Sequence, residues 1–366
     1  MRIWSFAFVT LVLGAGCRSV PDPCGGAALQ DVADFWVKEM KCPECTIAYC
    51  EADQTVFAGD AERMYRIGSL TKFYMELVLF DLAKHGIVDL DHPVSDYSKM
   101  SLPPECAHIT LRDLVMHRSG LPREFMNFWW PVNVHRALTC GLWGTHIYGT
   151  FESRADFETC INDDHYRAMM REREAQYSNP GFGLLVTALE DTTGRPVETL
   201  LKDYLDSRGS FRRTAFEPTE EQRPFVTEPC AGKLPWLKRK GEPVDPHPLG
   251  SALRGAGALL SSAGDCVRMF RLYRREVMGG AAFDVGLSAF REGDMCGLFR
   301  VRRLGSGRKY LYRFGFIYGG QTFMAYDPPS DRLLVIFRNV TSWPASEDLK
   351  TADRLFFGVN HDLILK

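Results

Sequence analysis

The sequence lacks any marked excess of charge of one sign. It has 44 lysines and arginines against 46 aspartates and glutamates, which gives a formal net charge of -2. This balance argues against a nucleic acid or an anionic membrane surface as the partner. The 9 histidines show no metal-ligand spacing such as His-Glu-x-x-His, and no repeat or low-complexity stretch is present. The sequence therefore predicts no metal, no cofactor and no repeat architecture.

The sequence also lacks an apolar run long enough to cross a bilayer as a helix, which takes about 20 residues. Its most apolar stretch, residues 3–13, follows the positively charged Arg2 and ends in small residues. This layout is typical of a secretory signal peptide, here residues 1–16, although a buried N-terminal helix is the alternative. We therefore predict an exported protein, periplasmic or at the cell surface.

The cysteine at the end of this leader agrees with export. Cys17 completes a Leu-Gly-Ala-Gly-Cys ending that resembles a bacterial lipobox, although Gly14 stands where a branched aliphatic residue is usual. Lipidation of Cys17 would attach the protein to a bacterial membrane through a tether over residues 17–26. It would leave an even number of the 11 cysteines for disulfides, which an oxidising compartment allows.

Cys42 and Cys45 form an isolated Cys-x-x-Cys motif. A structural zinc site would need a second such pair, and the sequence has none. A thioredoxin-like redox site would need a different surrounding pattern. We interpret these cysteines as structural disulfides or buried thiols, and a redox role for Cys42 and Cys45 is the weaker alternative.

The apolar pattern places strands at both chain ends and helices in the middle. Helical spacing predicts helices at 27–40, 69–84, 110–117, 180–193, 198–205, 263–278 and 347–357. Strands are predicted at 46–50, 55–58, 298–304, 309–317, 321–326 and 333–338. This order predicts an α/β fold of the α+β type, with an antiparallel sheet formed from both chain ends, flanked by helices, and an inserted mainly helical domain. We expect one domain over 27–366, with the α/β part at about 27–80 and 260–366 and the helical insert at about 81–259.

Ser69-Leu70-Thr71-Lys72 places a nucleophile and a base three residues apart at the start of a predicted helix. Residues at that spacing share a helix face, and a helix N-terminus favours negative charge. A serine hydroxyl reacts well only when a partner takes its proton, and a buried lysine with a depressed pKa can do so. The motif alone is weak, because Ser306 and Lys309 repeat the spacing in a predicted turn with no apolar helix behind it.

Five segments occur in the order found in the serine β-lactamases and penicillin-recognising DD-peptidases, and the chain resembles this family. They are residues 66–72 with Ser-x-x-Lys, 90–94, 109–122, 177–183 with Tyr-x-Asn, and 255–265. The resemblance covers about residues 27–357 and is nearest to the class C β-lactamase-like branch, which also holds DD-carboxypeptidases, D-aminopeptidases and carboxylesterases. It implies a β-lactamase/transpeptidase-like fold and acyl transfer through a covalent intermediate.

The resemblance also implies roles for particular residues. Ser69 would be the nucleophile, Lys72 its activating base, and Tyr177 the partner that shares the proton relay. Asn179 would bind Lys72 and a substrate amide through its donor and its acceptor. The backbone N–H groups of Ser69 and Phe316 would form the oxyanion hole. The alternatives are a core tyrosine at position 177 and a turn or cap residue at position 179.

The third motif of the family, Lys- or His-x-Gly, falls on Arg313-Phe314-Gly315, which is a departure. Arg313 is always charged and can hold a substrate carboxylate bidentately, but it cannot titrate. Phe314 lacks the usual hydroxyl, whereas Gly315 keeps the close backbone approach that this strand position needs. The alternative is that Arg313 is a solvated strand residue.

The sequence thus predicts an exported serine hydrolase whose partner is a small molecule or peptide with an ester or amide bond. Carboxylesterase, D-amino-acid peptidase and β-lactamase-like activities all fit, and the altered third motif argues against efficient β-lactam hydrolysis. Aromatic residues between Leu121 and Tyr177, such as Trp129 and Trp130, could shape an acyl pocket or pack the helical part. The alternative function is a catalytically silent family member that binds peptidoglycan or a protein partner.

Overall fold

The computed structural model describes residues 26–38, 42–124, 153–171, 175–209, 211–231, 241–244, 250–279, 290–340 and 346–358. The predicted signal peptide, Cys17, nearly all of the tether, and Trp129 and Trp130 lie outside the described residues. Within the described ranges, no helix is long and apolar enough to cross a membrane.

A seven-stranded antiparallel sheet joins the two ends of the chain, as predicted. Its strands are β1 (Cys45–Glu51), β2 (Gln54–Ala58), β6 (Met295–Cys296), β7 (Phe299–Arg303), β8 (Lys309–Ile317), β9 (Gly320–Asp327) and β10 (Arg332–Arg338). Their order is β2-β1-β10-β9-β8-β7-β6, and β1 pairs with β10 from Cys45 opposite Arg338 to Glu51 opposite Arg332. The six predicted strands match to within one residue at each end, and β6 is the strand of this sheet that was not predicted.

Both faces of this sheet are buried, each under its own layer of helices. Along β10, Leu334 and Ile336 belong to one apolar cluster, whereas Leu333, Val335 and Phe337 belong to the other, which is the period of two of a strand. The first cluster includes residues of the terminal helices α1 (Gly26–Lys38) and α10 (Ser346–Phe357). The second includes residues of the helices from the middle of the chain.

The helices from the middle of the chain are α2 (Thr71–Lys84), α3 (Leu111–Val115), α4 (Arg154–Ile161), α5 (Asp164–Ala168), α6 (Asn179–Thr193), α7 (Val197–Arg208), α8 (Arg254–Gly257) and α9 (Ala263–Tyr273). Helices α2, α3, α6, α7 and α9 match predicted helices, with differences at their ends, whereas α4, α5 and α8 were not predicted. The predicted helix at 263–278 is α-helical only to Tyr273, because Arg274–Met278 form a π-helical turn. The predicted helix at 110–117 ends early, before His117, which has a positive φ of 53°.

A second sheet of three short strands, in the order β3-β5-β4, was not predicted. It consists of β3 (Met64–Arg66), β4 (Thr214–Ala215) and β5 (Leu260–Ser262), which are too short to show a periodic pattern. Its importance is positional, because β3 leads directly into the turn that carries Ser69. Backbone N–H of Ile67 donates to the carbonyl of Leu259 at 3.0 Å and ties that turn to the strand beside it.

Helix α2 runs through the centre of the molecule. Residues 71–79 are all buried, so the helix has no solvated face over its first two turns. A helix that is apolar all round is typical of a buried core element. This placement takes Lys72 out of water, and it also buries Glu76, which accepts a hydrogen bond from Tyr273 at 2.8 Å.

The 8 cysteines of the described part are all buried. Burial raises the pKa of the Cys45 thiol well above its usual value. The thiolate is the reactive form of cysteine, so this burial argues against a redox role for Cys42 and Cys45. It fits the interpretation that these cysteines are structural.

Candidate active site

The turn before α2 sets the position of Ser69. It is a 3-10 turn over Gly68–Leu70, so the regular helix begins at Thr71 and not at Ser69. Gly68 has a φ of 52°, and a Cβ there would lie 2.8 Å from the Phe316 nitrogen. The Thr71 hydroxyl donates to the Gly68 carbonyl at 2.7 Å and fixes the turn. Ser69 remains partly accessible, although its neighbours on both sides are buried.

Strand β8 approaches this turn closely because position 315 is a glycine. A Cβ on Gly315 would collide with the carbonyl oxygen of Ile67 and the hydroxyl of Thr322. The Thr322 hydroxyl donates to that same Ile67 carbonyl at 2.9 Å. The contact brings Phe316 to the wall of a small cavity that Ser69 also lines, where an oxyanion hole was predicted.

The side chains of Ser69, Lys72, Tyr177 and Asn179 meet, as the motifs predict. Ser69 Oγ lies 2.7 Å from the Tyr177 hydroxyl, which donates to Asn179 Oδ1 at 3.0 Å. Lys72 Nζ donates to Asn179 Oδ1 at 2.7 Å and to the Ala256 carbonyl at 2.5 Å, and it lies 3.5 Å from Ser69 Oγ. An ammonium group has three protons to donate, so these acceptors can satisfy a charged Lys72.

The alternative roles for these residues fit the geometry less well. Ser178, and not Asn179, caps helix α6, because its hydroxyl accepts the Gly181 N–H at 3.0 Å. Tyr177 is buried, but its hydroxyl points at Ser69. Ser306, the serine of the second Ser-x-x-Lys, lies in the exposed hairpin between β7 and β8, with no helix behind it.

Two cations control the acidity of Tyr177. Burial raises the pKa of Tyr177, but the charges of Lys72 and Arg313 lower it by more than burial raises it. The resulting pKa is about 8. The Arg313 guanidinium lies 4.2 Å from the centre of the Tyr177 ring, and Arg313 is only 6% exposed. Arg313 is therefore not a solvated strand residue. A phenol with this pKa can act as a base near neutral pH.

Glu124 is a member of the site that the sequence analysis missed. Asn179 Nδ2 donates to Glu124 Oε1 at 2.7 Å, which directs the other end of the amide, Oδ1, toward Lys72 and Tyr177. Burial raises the pKa of the Glu124 carboxyl. Glu124 follows the Gly-Leu-Pro segment at 120–122, but nothing in the sequence marks it as a partner of a residue 55 positions away.

His117 holds Tyr177 from three directions. Its carbonyl accepts the Gln176 N–H at 2.9 Å, and its Nδ1 accepts the Ser178 N–H at 3.2 Å. Its ring centre lies 4.5 Å from that of Tyr177. Burial lowers the pKa of His117 well below its usual value, and the nearby arginines and Lys72 lower it further, so the ring is neutral. The positive φ of 53° at His117 shows a backbone conformation that is costly for a residue other than glycine.

We expect that His117→Asn slows acylation at Ser69 about 10-fold, which corresponds to a little over 1 kcal/mol. Asparagine tolerates a left-handed backbone but lacks the ring that packs on Tyr177. The rate of Ser69 labelling by an activated phosphonate measures the effect. Ala52→Asn is the matched control, because Ala52 has a φ of 51° in the distant turn between β1 and β2. Equal labelling rates for wild type and His117→Asn would show that His117 only supports the fold.

These groups suffice for acyl transfer. A hydroxyl, a phenol of lowered pKa and a buried cation can form and release an acyl group on serine, which defines the class of serine hydrolases. Within the described ranges, no three His, Cys, Asp or Glu side chains cluster so that they could hold a metal ion.

The Beta-lactamase family model matches residues 40–356, and the chain belongs to that family. The match confirms both the resemblance and the enzyme class.

The chain is similar to proteins of known activity and to solved structures. The D-alanyl-D-alanine-carboxypeptidase/endopeptidase AmpH of Escherichia coli K12 is 27% identical over 225 residues, which cover 58% of this chain and 49% of AmpH. The chain thus matches about half the length of that relative. Its fold is similar to the D-amino acid amidase of Ochrobactrum anthropi, with a TM-score of 0.67, 19% identity, and coverage of 90% of this chain and 96% of that one.

A second solved structure with this fold is a β-lactamase/D-alanine carboxypeptidase from Yersinia pestis. The TM-score is 0.65 at 18% identity, and the alignment covers 90% of this chain and 97% of the other. A class C β-lactamase from Rhodobacter sphaeroides gives 0.66 at 14% identity, over 91% and 98% of the two chains. These likenesses confirm the predicted fold class.

Proposed function

We propose that this protein is an exported serine hydrolase that forms an acyl-enzyme on Ser69 and acts on an ester or amide bond. The observation that carries the proposal is the 2.7 Å separation of Ser69 Oγ and the Tyr177 hydroxyl. A serine and a tyrosine hydroxyl at this distance are hydrogen-bonded. The pKa of about 8 makes Tyr177 the group of the two that ionises near neutral pH and can then accept the Ser69 proton.

The first step is acylation. Tyr177, as the phenolate, takes the proton of Ser69, and Ser69 Oγ attacks the substrate carbonyl carbon. The charged Lys72 stabilises the phenolate, and its hydrogen bond to Asn179 holds it in place. The oxyanion of the tetrahedral intermediate lies against the backbone N–H groups of Ser69 and Phe316, which is the place where charge develops.

The second step releases both products. The bond between the carbonyl carbon and the leaving oxygen or nitrogen breaks, and Tyr177 passes its proton to that atom. A water then attacks the acyl carbon while Tyr177 takes its proton. The bond from the acyl carbon to Ser69 Oγ breaks, Tyr177 returns the proton to Ser69 Oγ, and the acyl group leaves as a carboxylic acid. Each proton that Tyr177 accepts is returned in the next step, so the site ends as it began.

The proposed substrates are D-amino-acid peptides or amides, cell-envelope esters and small esters. AmpH is a D-alanyl-D-alanine-carboxypeptidase/endopeptidase and the Ochrobactrum anthropi protein is a D-amino acid amidase, and both activities support amide substrates of this kind. Arg313-Phe314 replaces the usual Lys- or His-containing motif, and the Arg313 guanidinium lies over Tyr177, so we expect β-lactams to be poor substrates.

Export and lipidation at Cys17 are part of the proposal, supported by the leader at 1–16. Expression of the full chain in a bacterium, followed by fractionation and intact-mass analysis, tests them. A membrane-bound protein that begins at a lipidated Cys17 and becomes soluble as Cys17→Ser is expected. A protein that keeps its leader in the cytoplasm would refute export.

The hydrolase proposal is tested by intact-mass labelling of the leaderless protein with a fluorophosphonate. We expect a single adduct on wild type and none on Ser69→Ala, because only an activated serine reacts at an appreciable rate. Ser306→Ala is the matched control and should label like wild type. An unlabelled, folded wild-type protein would favour the alternative, a catalytically silent protein that binds peptidoglycan or a protein partner.

A further inference from the structure

The proposed oxyanion hole has its two donors on separate elements of the fold. The Ser69 N–H lies in the turn Gly68–Leu70, whereas the Phe316 N–H lies near the end of β8. Each donor must lie about 2.7–3.1 Å from the oxyanion, so the turn and the strand have to be held at a fixed separation. A residue that fixes this separation contributes to catalysis without contacting the substrate.

The turn and the strand meet backbone against backbone. A Cβ on Gly68 would lie 2.8 Å from the Phe316 nitrogen, and a Cβ on Gly315 would collide with the Ile67 carbonyl oxygen. Because both residues at this contact are glycines, side-chain bulk does not set the spacing of the two backbones. Polar contacts between the sheet and the turn must therefore hold them together.

Thr322 is placed to make such a contact. It is the partner of Gly315 in the pairing of β8 with β9, and paired residues direct their side chains to the same face of a sheet. Its hydroxyl occupies part of the space that a Cβ on Gly315 would need, and from there it donates to the Ile67 carbonyl at 2.9 Å. Thr322 is fully buried, so water does not compete for this hydrogen bond.

The Ile67 carbonyl is part of the turn itself. It also accepts the Leu70 N–H at 3.2 Å, the hydrogen bond that closes the turn, and a carbonyl oxygen has lone pairs for both donors. Loss of the Thr322 hydroxyl would therefore leave the internal bonds of the turn in place, including that of the Thr71 hydroxyl to the Gly68 carbonyl. It would remove a connection between the turn and the sheet.

We propose that Thr322 is a positioning residue that sets the separation of the Ser69 and Phe316 N–H groups. The inference rests on the proposed function and deepens it, because it assigns control of the oxyanion hole to a residue that acts through the Ile67 carbonyl. Tyr177 acts on the proton and Thr322 on the oxyanion hole, so the two contributions can be measured separately.

The first test is the acylation rate of Thr322→Val, which keeps the shape of threonine and loses the hydroxyl. We expect its Ser69 to react with the fluorophosphonate about 10- to 100-fold more slowly than in wild type, because small displacements of catalytic groups have effects of this size. Thr322→Ser keeps the hydroxyl and should label at close to the wild-type rate. Thr46→Val is the matched control, because Thr46 is also fully buried in the same sheet and its hydroxyl donates to the Asp60 carbonyl at 3.0 Å.

The second test separates positioning from support of the fold. In Thr322→Val the rising limb of the pH profile should keep its midpoint near pH 8, because Tyr177 is unchanged. With 4-nitrophenyl acetate, kcat and kcat/KM should fall together, which marks an interaction made in the transition state. The loss should be smaller for the matching thionoester, since sulfur is a weaker hydrogen-bond acceptor than the carbonyl oxygen it replaces.

Three results would overturn the proposal: wild-type labelling in Thr322→Val, an equal loss in Thr322→Ser, or an equal loss in Thr46→Val. Circular dichroism checks the fold of each variant. Should Thr322→Val not fold, Thr322→Cys replaces it and should label more slowly than Thr322→Ser, because a thiol is the weaker donor; equal rates for that pair would also overturn the proposal. An unlabelled wild type would count against the hydrolase proposal, whereas a labelled wild type with an unaffected Thr322→Val would count against this inference alone.

Discussion

Replacing Tyr177 with phenylalanine should lower the acylation rate at Ser69 by about 10²–10⁴-fold, the usual contribution of a positioned general base. The ring would keep its contacts with His117 and Arg313, and only the hydroxyl that lies 2.7 Å from Ser69 Oγ is lost. The rate of phosphonate labelling, followed by intact mass from pH 5 to pH 10, measures the effect.

The pH dependence makes this prediction specific. Tyr177 accepts a proton only as the phenolate, so the wild-type rate should rise tenfold per pH unit below the pKa of about 8 and level off above it. In Tyr177→Phe this rising limb should disappear. Tyr326→Phe is the control, because it removes a buried phenol that donates to Asp331 at 3.0 Å, far from Ser69. If Tyr177→Phe kept the rising limb, a group other than Tyr177 would be the base.

The sequence was sufficient to predict which side chains meet at the candidate site. Ser69 and Lys72 are three positions apart, in the 3-10 turn and the first turn of the helix that follows it, so their proximity follows from local geometry. Asn179 is the first residue of α6, and Tyr177 lies two positions before it. Their meeting with Ser69 followed from the resemblance, because no local rule joins residues 108 positions apart. Six strands at the two chain ends were also predicted, because turn residues such as those at 51–54, 305–307 and 328–331 separate them in the sequence.

What the sequence did not reveal depends on long-range packing or on very short elements. Glu124 belongs to the site only because the segment at 121–124 docks beside Tyr177, where the Asn179 N–H donates to the Arg123 carbonyl at 3.0 Å. His117 lies within a segment that resembles the family, but its role depends on a left-handed backbone that no pattern indicates. Strands β3, β4 and β5 have two or three residues each, too few for any periodicity. The division into an α/β part and a helical insert stays a prediction.

The position of Arg313 in the fold suggests a different interpretation of this departure from the family motif. In the sequence it was a candidate for holding a substrate carboxylate, with a solvated strand residue as the alternative. In the structure its guanidinium lies over Tyr177, and its charge is one of the two that lower the Tyr177 pKa. An arginine cannot titrate near neutral pH, so this part of the effect persists at every pH at which the enzyme works.

Replacing Lys72 with methionine, which is similar in length but neutral, should lower acylation at pH 7 by at least 100-fold. Lys72 is the larger of the two charges that lower the pKa of Tyr177 against the effect of burial. Without it the pKa should return at least to the usual tyrosine value of about 10. At pH 7 this change alone reduces the phenolate fraction about 100-fold, because each unit of pKa above the pH lowers that fraction tenfold.

The sign of the pH shift separates this role of Lys72 from direct proton abstraction. If Lys72 acts through Tyr177, the rising limb of Lys72→Met should move from about pH 8 to higher pH, and activity should partly recover near pH 10. If Lys72 itself takes the Ser69 proton, the limb should be lost and no recovery should follow. Lys84→Met, an exposed lysine at the end of the same helix, is the matched control. Circular dichroism of each variant checks that a loss of rate does not reflect a loss of fold.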